Sequence, residues 1–158
     1  MKFKYSFLIV ILTIFLFSIS SCDKNRIYEK NKDVENHLWN KDSIFSFNVE
    51  ITDTITPCNL YINSRITSQY PKNNLYLFIT THFPYKEQMC DTIECFLADK
   101  SGKWYGKGFG DVWSYKIPYK RNVIFPHSGI YTFEVEQAMR TVNLPYVLDV
   151  GLRVEKIK

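Results

Sequence analysis

No C-x-x-C pair, no G-x-S-x-G elbow and no histidines spaced i, i+4 occur in the 158 residues. The first absence removes the usual zinc-ribbon and redox spacings, the second the hydrolase nucleophile turn, the third a helical zinc pair. Glycine and proline are scarce at six each, while aromatic residues reach 16%. That balance suits a β-rich domain rather than a helical bundle. A strong charge excess is missing too: the formal net charge of +4 gives nucleic acid no basic stripe to bind. What is present, 46% hydrophobic and 23% charged residues over 158 positions, fits one globular domain and argues against disorder.

The N-terminus sets the compartment. Lys2 and Lys4 precede an apolar stretch from Phe7 to Phe17, and Ser18, Ser20 and Ser21 end it early. A transmembrane helix needs about 20 mostly apolar residues, whereas a short apolar core followed by small residues is a secretory signal. The small residues end on a cysteine, Ile19-Ser-Ser-Cys22. This resembles a bacterial lipoprotein box, in which the cysteine sulfur takes a diacylglycerol and cleavage leaves that cysteine first. Residues 1–21 are therefore expected to be a lipoprotein signal peptide, with Cys22 the lipid-attachment site. Residues 22–43, rich in lysine, asparagine and acids, read as a polar tether. Within it Val34 and Leu38 sit at helical spacing beside Trp39, which allows a short docking helix.

From residue 44 to 158 the period is two. Phe45, Phe47, Val49 and Ile51 alternate with polar residues, as do Leu60, Ile62 and Ile66, then Ile93, Cys95 and Leu97. Tyr131, Phe133 and Val135 follow, then Leu148, Val150, Leu152 and Val154. Leu75–Ile79 is continuously apolar and predicts a central strand covered on both faces. All six prolines fall between these runs, and Glu136–Arg140 is a candidate helical turn. About eight short strands with regular turns predict an all-β fold, a single antiparallel β-sandwich.

These residues carry a resemblance. Asn74–Ile79, Asp91–Asp99, Gly102–Trp113, Gln137–Arg140 and Leu144–Glu155, together with the lipobox, resemble the gliding-motility lipoprotein family GldH of the Bacteroidetes. The resemblance implies a non-catalytic lipoprotein of the cell envelope, tied to gliding motility and the associated type IX secretion machinery. It brings no catalytic or cofactor residues, so only Cys22 carries over. Its implied partners are the membrane, through the lipid, and envelope proteins of that apparatus. In these bacteria surface-exposed lipoproteins tend to carry an acidic cluster after the cysteine. Asp23-Lys-Asn-Arg26 lacks one, which points to an outer-membrane anchor facing the periplasm.

Other motifs weigh less. Gly106-Lys-Gly-Phe-Gly110 has neither dinucleotide nor P-loop spacing, so a bulged or tightly bent strand is expected. Trp104, Tyr105, Trp113, Tyr115 and Tyr119 crowd the same region and form a candidate interaction surface, for a protein or, alternatively, a glycan. A lipid-anchored carbohydrate-binding module is thus the second function these residues allow. His37, His82 and His127 have no local ligand set, and Asp91, Glu94 and Asp99 share no strand face; neither metal nor enzyme is indicated. Cys95 reads as a buried core residue, and Cys58 with Cys90 is the one disulfide to entertain.

Overall fold

Strict alternation sends every second side chain to one face of a strand, so each of these runs must bury a face against something. The computed structural model describes residues 23–157. Cys22 and the signal expected over 1–21 lie outside them. Eleven strands run through the described residues: β1 (Arg26–Asp33), β2 (Leu38–Asn40), β3 (Phe45–Ile51), β4 (Cys58–Thr67), β5 (Asn74–His82), β6 (Gln88–Phe96), β7 (Lys107–Phe109), β8 (Val112–Val123), β9 (Gly129–Gln137), β10 (Asn143–Pro145) and β11 (Val147–Lys156). Every pairing is antiparallel. One sheet has the order β1-β11-β4-β8-β7 and the other β3-β9-β5-β6, with a two-stranded β10-β2 ribbon beside them. The all-β sandwich expected from the alternation is the fold observed.

The core lies between the two sheets. Leu60, Ile62, Val150, Leu152 and Val154 come from the five-stranded sheet, and Phe47, Leu75, Leu77, Ile79, Tyr131 and Phe133 from the other; all are essentially without solvent contact. Each such side chain contributes about 1.5–3 kcal/mol by leaving water. Cys95 is buried among them. Burial pushes its thiol up to about 12, so it stays a neutral packing residue.

The domain starts earlier than the alternation alone suggests. Residues 22–43 were expected to be a tether, yet Arg26–Asp33 pairs along β11 and the β2 ribbon follows it. Tyr28, Lys30 and Lys32 register opposite Val154, Leu152 and Val150, so they share the inward face. At a sheet edge a lysine can lay its stem on the core and lift its charge to water. Lys32 is exposed and holds its Nζ 5.6 Å above the Phe47 ring. The docking helix is a single 3-10 turn, Glu35–His37. Val34 and Trp39 are buried, but Leu38 is exposed, because β2 rather than a helix sets which side chains point in. The Trp39 indole donates to the Ser43 carbonyl at 3.0 Å.

Three further expectations are corrected. β5 is central in its sheet, but only Leu75, Leu77 and Ile79 point inward; Tyr76 and Phe78 are 36% and 42% exposed on an uncovered outer face. Pro118 lies within β8 rather than between strands. It is tolerated because β7 pairs only with Val112–Ser114, leaving β8 an edge beyond that point. Glu136 and Gln137 end β9 instead of starting a helical turn. The buried Gln137 amide builds the bend itself: its Oε1 accepts from Met139 N–H at 2.8 Å and its Nε2 donates to the Thr141 carbonyl at 2.9 Å.

Candidate functional site

The glycine-rich segment prepares a seat for aromatic rings. β7 and β8 are joined by a two-residue turn, Gly110-Asp111, in which Gly110 has φ +58°. That is the left-handed region glycine enters without steric cost. Gly108 lies under the Trp113 ring and Gly106 under the Tyr115 ring, where a Cβ would come within 3.0 Å and 2.8 Å of ring carbons. The bent-strand reading of Gly106–Gly110 therefore matches a tight hairpin with close packing.

The five aromatics do not share one exposed plane. Tyr115 is buried and donates to the Leu97 carbonyl at 3.0 Å; burial pushes its phenol up to about 12. Tyr119 turns inward to donate to Asp91 Oδ2 at 2.6 Å, and Lys120 pairs with the same carboxylate at 2.9 Å. Burial and the Asp91 carboxylate hold the Tyr119 phenol far above its ordinary value. Both residues leave the proposed surface because their hydroxyls find partners inside. Trp104 and Trp113 pack on each other, partly buried, with centroids 6.4 Å apart and planes tilted by 40°. Tyr105 alone of the five is largely exposed, at 63%.

Two of the five, Tyr105 and Tyr115, line a groove of about 620 Å³. Phe96 and Glu94 of β6 line one side; Tyr105, Lys107, Ile117 and Pro118 line the other. β6 is the outer strand of its sheet, and β8 is open on the side away from β4 past Ser114. Two unpaired edges thus border one apolar, partly charged furrow. Phe96, 65% exposed, is the functional candidate that alternation missed. Its signal was the adjacent pair Cys95-Phe96, of which only one can face the core.

The remaining candidates have local partners. Asp99 accepts from Ser101 and Lys103 backbone N–H groups at 2.8 and 3.0 Å, closing a turn. Asn74 donates to Glu94 at 2.7 Å. His82 and Glu134 are 2.9 Å apart across β5 and β9, and the His127 ring packs edge-on against Tyr85. Among the described residues no group of three His, Cys, Asp or Glu side chains converges as a metal set would. Cys58 and Cys90 are not bonded: Cys58 is buried beside the Thr56 carbonyl, while Cys90 is exposed on β6.

A polar network covers the outer face of the five-stranded sheet. Arg153 pairs with Glu29 at 2.7 Å, with Glu155 at 2.8 Å and with Asp23. Lys116 also reaches Glu155 at 3.0 Å while stacking 4.0 Å over Tyr61. Gly151 lets β1 approach, since a Cβ there would meet Asn31 and come within 2.7 Å of the Lys30 carbonyl. Arg65 pairs with Asp149, which is fully buried. Burial outweighs that pairing and raises the Asp149 carboxyl. For Glu29 and Glu155 burial also pulls upward, but hydrogen bonds from Arg26, Asn63, Lys116 and Arg153 bring both below the usual glutamate range.

A two-sheet antiparallel sandwich with a furrow between two open strand edges defines an all-β sandwich domain. The chain belongs to the GldH lipoprotein family, whose pattern it matches over residues 26–154. It is 39% identical to the gliding motility lipoprotein GldH homolog of Christiangramia forsetii, over 99% of this chain and 98% of that one. With the gliding motility lipoprotein GldH of Flavobacterium johnsoniae it shares 34% identity, over 99% of both chains.

Proposed function

We propose that the protein is a non-catalytic, lipid-anchored envelope component that supports gliding motility, type IX secretion, or both, through protein contacts. The observation that carries this is the near full-length match to gliding motility lipoproteins. The Ile19-Ser-Ser-Cys22 box supplies the anchor. A periplasm-facing position at the outer membrane follows from the segment after Cys22, which has Asp23 as its one acid before Arg26, and that acid is paired with Arg153. The groove between β6 and β8 offers a partner apolar and charged contacts together. The inward turn of Tyr115 and Tyr119 and the tilt of the tryptophans remove the flat platform on which a sugar ring would stack.

Deletion of the gene in the native host tests this, scored by colony spreading and by the secreted-protein profile. We expect loss of one or both, restored by the wild type and not by Cys22→Ala, which also loses fatty-acid label. Normal spreading and secretion in the deletion strain would overturn the reading.

A further inference from the structure

We infer that the outer face of the four-stranded sheet is a docking surface for a basic segment of a partner protein. This rests on the protein-contact role proposed above and gives that partner its chemistry.

The face is built from outward positions of β3, β9, β5 and β6, and among the described residues no element covers it. Phe78 stands at its centre, registered beside Glu136 on β9 and Thr92 on β6. Tyr76 registers beside Glu94, and Thr80 beside Glu134. Glu50 adds a fourth carboxylate on β3, next to exposed Ile130. Directly opposed side chains in an antiparallel sheet are about 5 Å apart and diagonal ones about 7–8 Å, so Phe78 has Glu136 beside it and Glu94 and Glu134 at its diagonals. Phe96 continues the aromatic surface to the β6 edge and into the groove.

Not one outward position on these four strands is Lys or Arg. Glu134 has His82, and Glu94 has the Asn74 amide; neither partner is a fixed cation. Several carboxylates elsewhere, and Asp91 on the inward face of β6, do pair with Arg or Lys, as at Asp53, Asp149 and Glu155. Like charges on neighbouring strands weaken a sheet, and exposed aromatics at its centre gain nothing for folding. Both become favourable when a partner brings Lys or Arg: the ions pair, and the cations lie over Tyr76 and Phe78. An anionic bilayer surface or nucleic acid is repelled by the same charges, so a protein segment with several Lys or Arg is the occupant that fits.

The test uses the intact lipoprotein purified in detergent and a fluorescent ten-residue oligolysine, read by anisotropy. Wild type is expected to bind it, with affinity falling several-fold between about 50 and about 300 mM salt. Glu94→Gln/Glu134→Gln/Glu136→Gln should lose about tenfold or more, and Thr92→Lys, which places a cation beside Phe78, should do the same. Both variants should unfold within a few degrees of wild type, since none of these side chains is buried and a Gln can still accept from Asn74 and His82. Either variant, introduced into the deletion strain, should fail to restore spreading or secretion at normal protein levels. Undiminished oligolysine binding by both folded variants, or full restoration by both, overturns the inference. A deletion strain with no phenotype overturns the proposed function instead, and the binding measurement still decides this one.

Discussion

On the outer face of the five-stranded sheet, Arg153 is held by Asp23, Glu29 and Glu155, Lys116 lies on Tyr61, and Asn63 bridges Glu29 to Asn31. On the outer face of the four-stranded sheet, Glu94, Glu134 and Glu136 flank Tyr76 and Phe78, Glu50 stands further along on β3, and no Lys or Arg is among them. Both faces are polar and carry aromatics, so composition does not separate them. Satisfaction does. Groups that answer one another in the free molecule serve folding, because their removal strands a partner. Groups left unanswered do little for folding and are available to a second molecule.

That contrast can be broken most strongly at Arg153. Arg153→Met keeps much of the stem but leaves Glu29 and Glu155, both mostly buried, without their shared cation. A loss of about 3 kcal/mol in urea denaturation is expected, with an unchanged m-value. A smaller effect comes from acid. The folded pKa values of Glu29 and Glu155 lie below the ordinary 4.5, so their stabilisation is present above that pH and is lost as pH falls through the folded values. Asp149, whose carboxyl is raised, runs the other way: its contribution is full below 3.8 and fades as pH rises. Thermal midpoints should thus drop on acidification below about 4.5, and Glu29→Gln/Glu155→Gln should flatten that drop. The smallest effect is expected on the other face. Phe78→Thr puts a β-branched residue with good strand propensity at an exposed strand position and should change unfolding free energy by no more than about 0.5 kcal/mol. A destabilisation comparable to that of Arg153→Met would erase the distinction between the faces.

The sandwich was legible wherever one face is wet and one dry: β3, β4, β9 and β11 follow the alternation read from the chain. β1 was hidden because the residues on its inward side at the sheet edge include Lys30 and Lys32, which break the apolar alternation. β8 was hidden by Pro118 and by a register shift near Leu60 that breaks its alternation. At the candidate surface, clustering of Trp104–Tyr119 in sequence was visible, but hydroxyl partners decided which rings stay outside. Leu97 and Asp91, the partners of Tyr115 and Tyr119, come from a separate stretch of chain that spacing cannot bring near. Tyr76 and Phe78 were masked by the opposite error, since an unbroken apolar run looks the same whether its second face is covered by protein or by a visitor.

The early start of β1 has a mechanical consequence. Three residues lie between Cys22 and Arg26, whose Cα atoms are therefore at most about 14 Å apart, so the lipid proposed on Cys22 would keep the sandwich on a short leash. Any pull between bilayer and domain then enters through the first residues of an edge strand. There Arg153 grips Asp23 and Glu29 from the neighbouring β11, spreading the load from one strand into the next. The same guanidinium that neutralises a surface is, in that setting, the rivet at which tension crosses from the leash into the body of the protein.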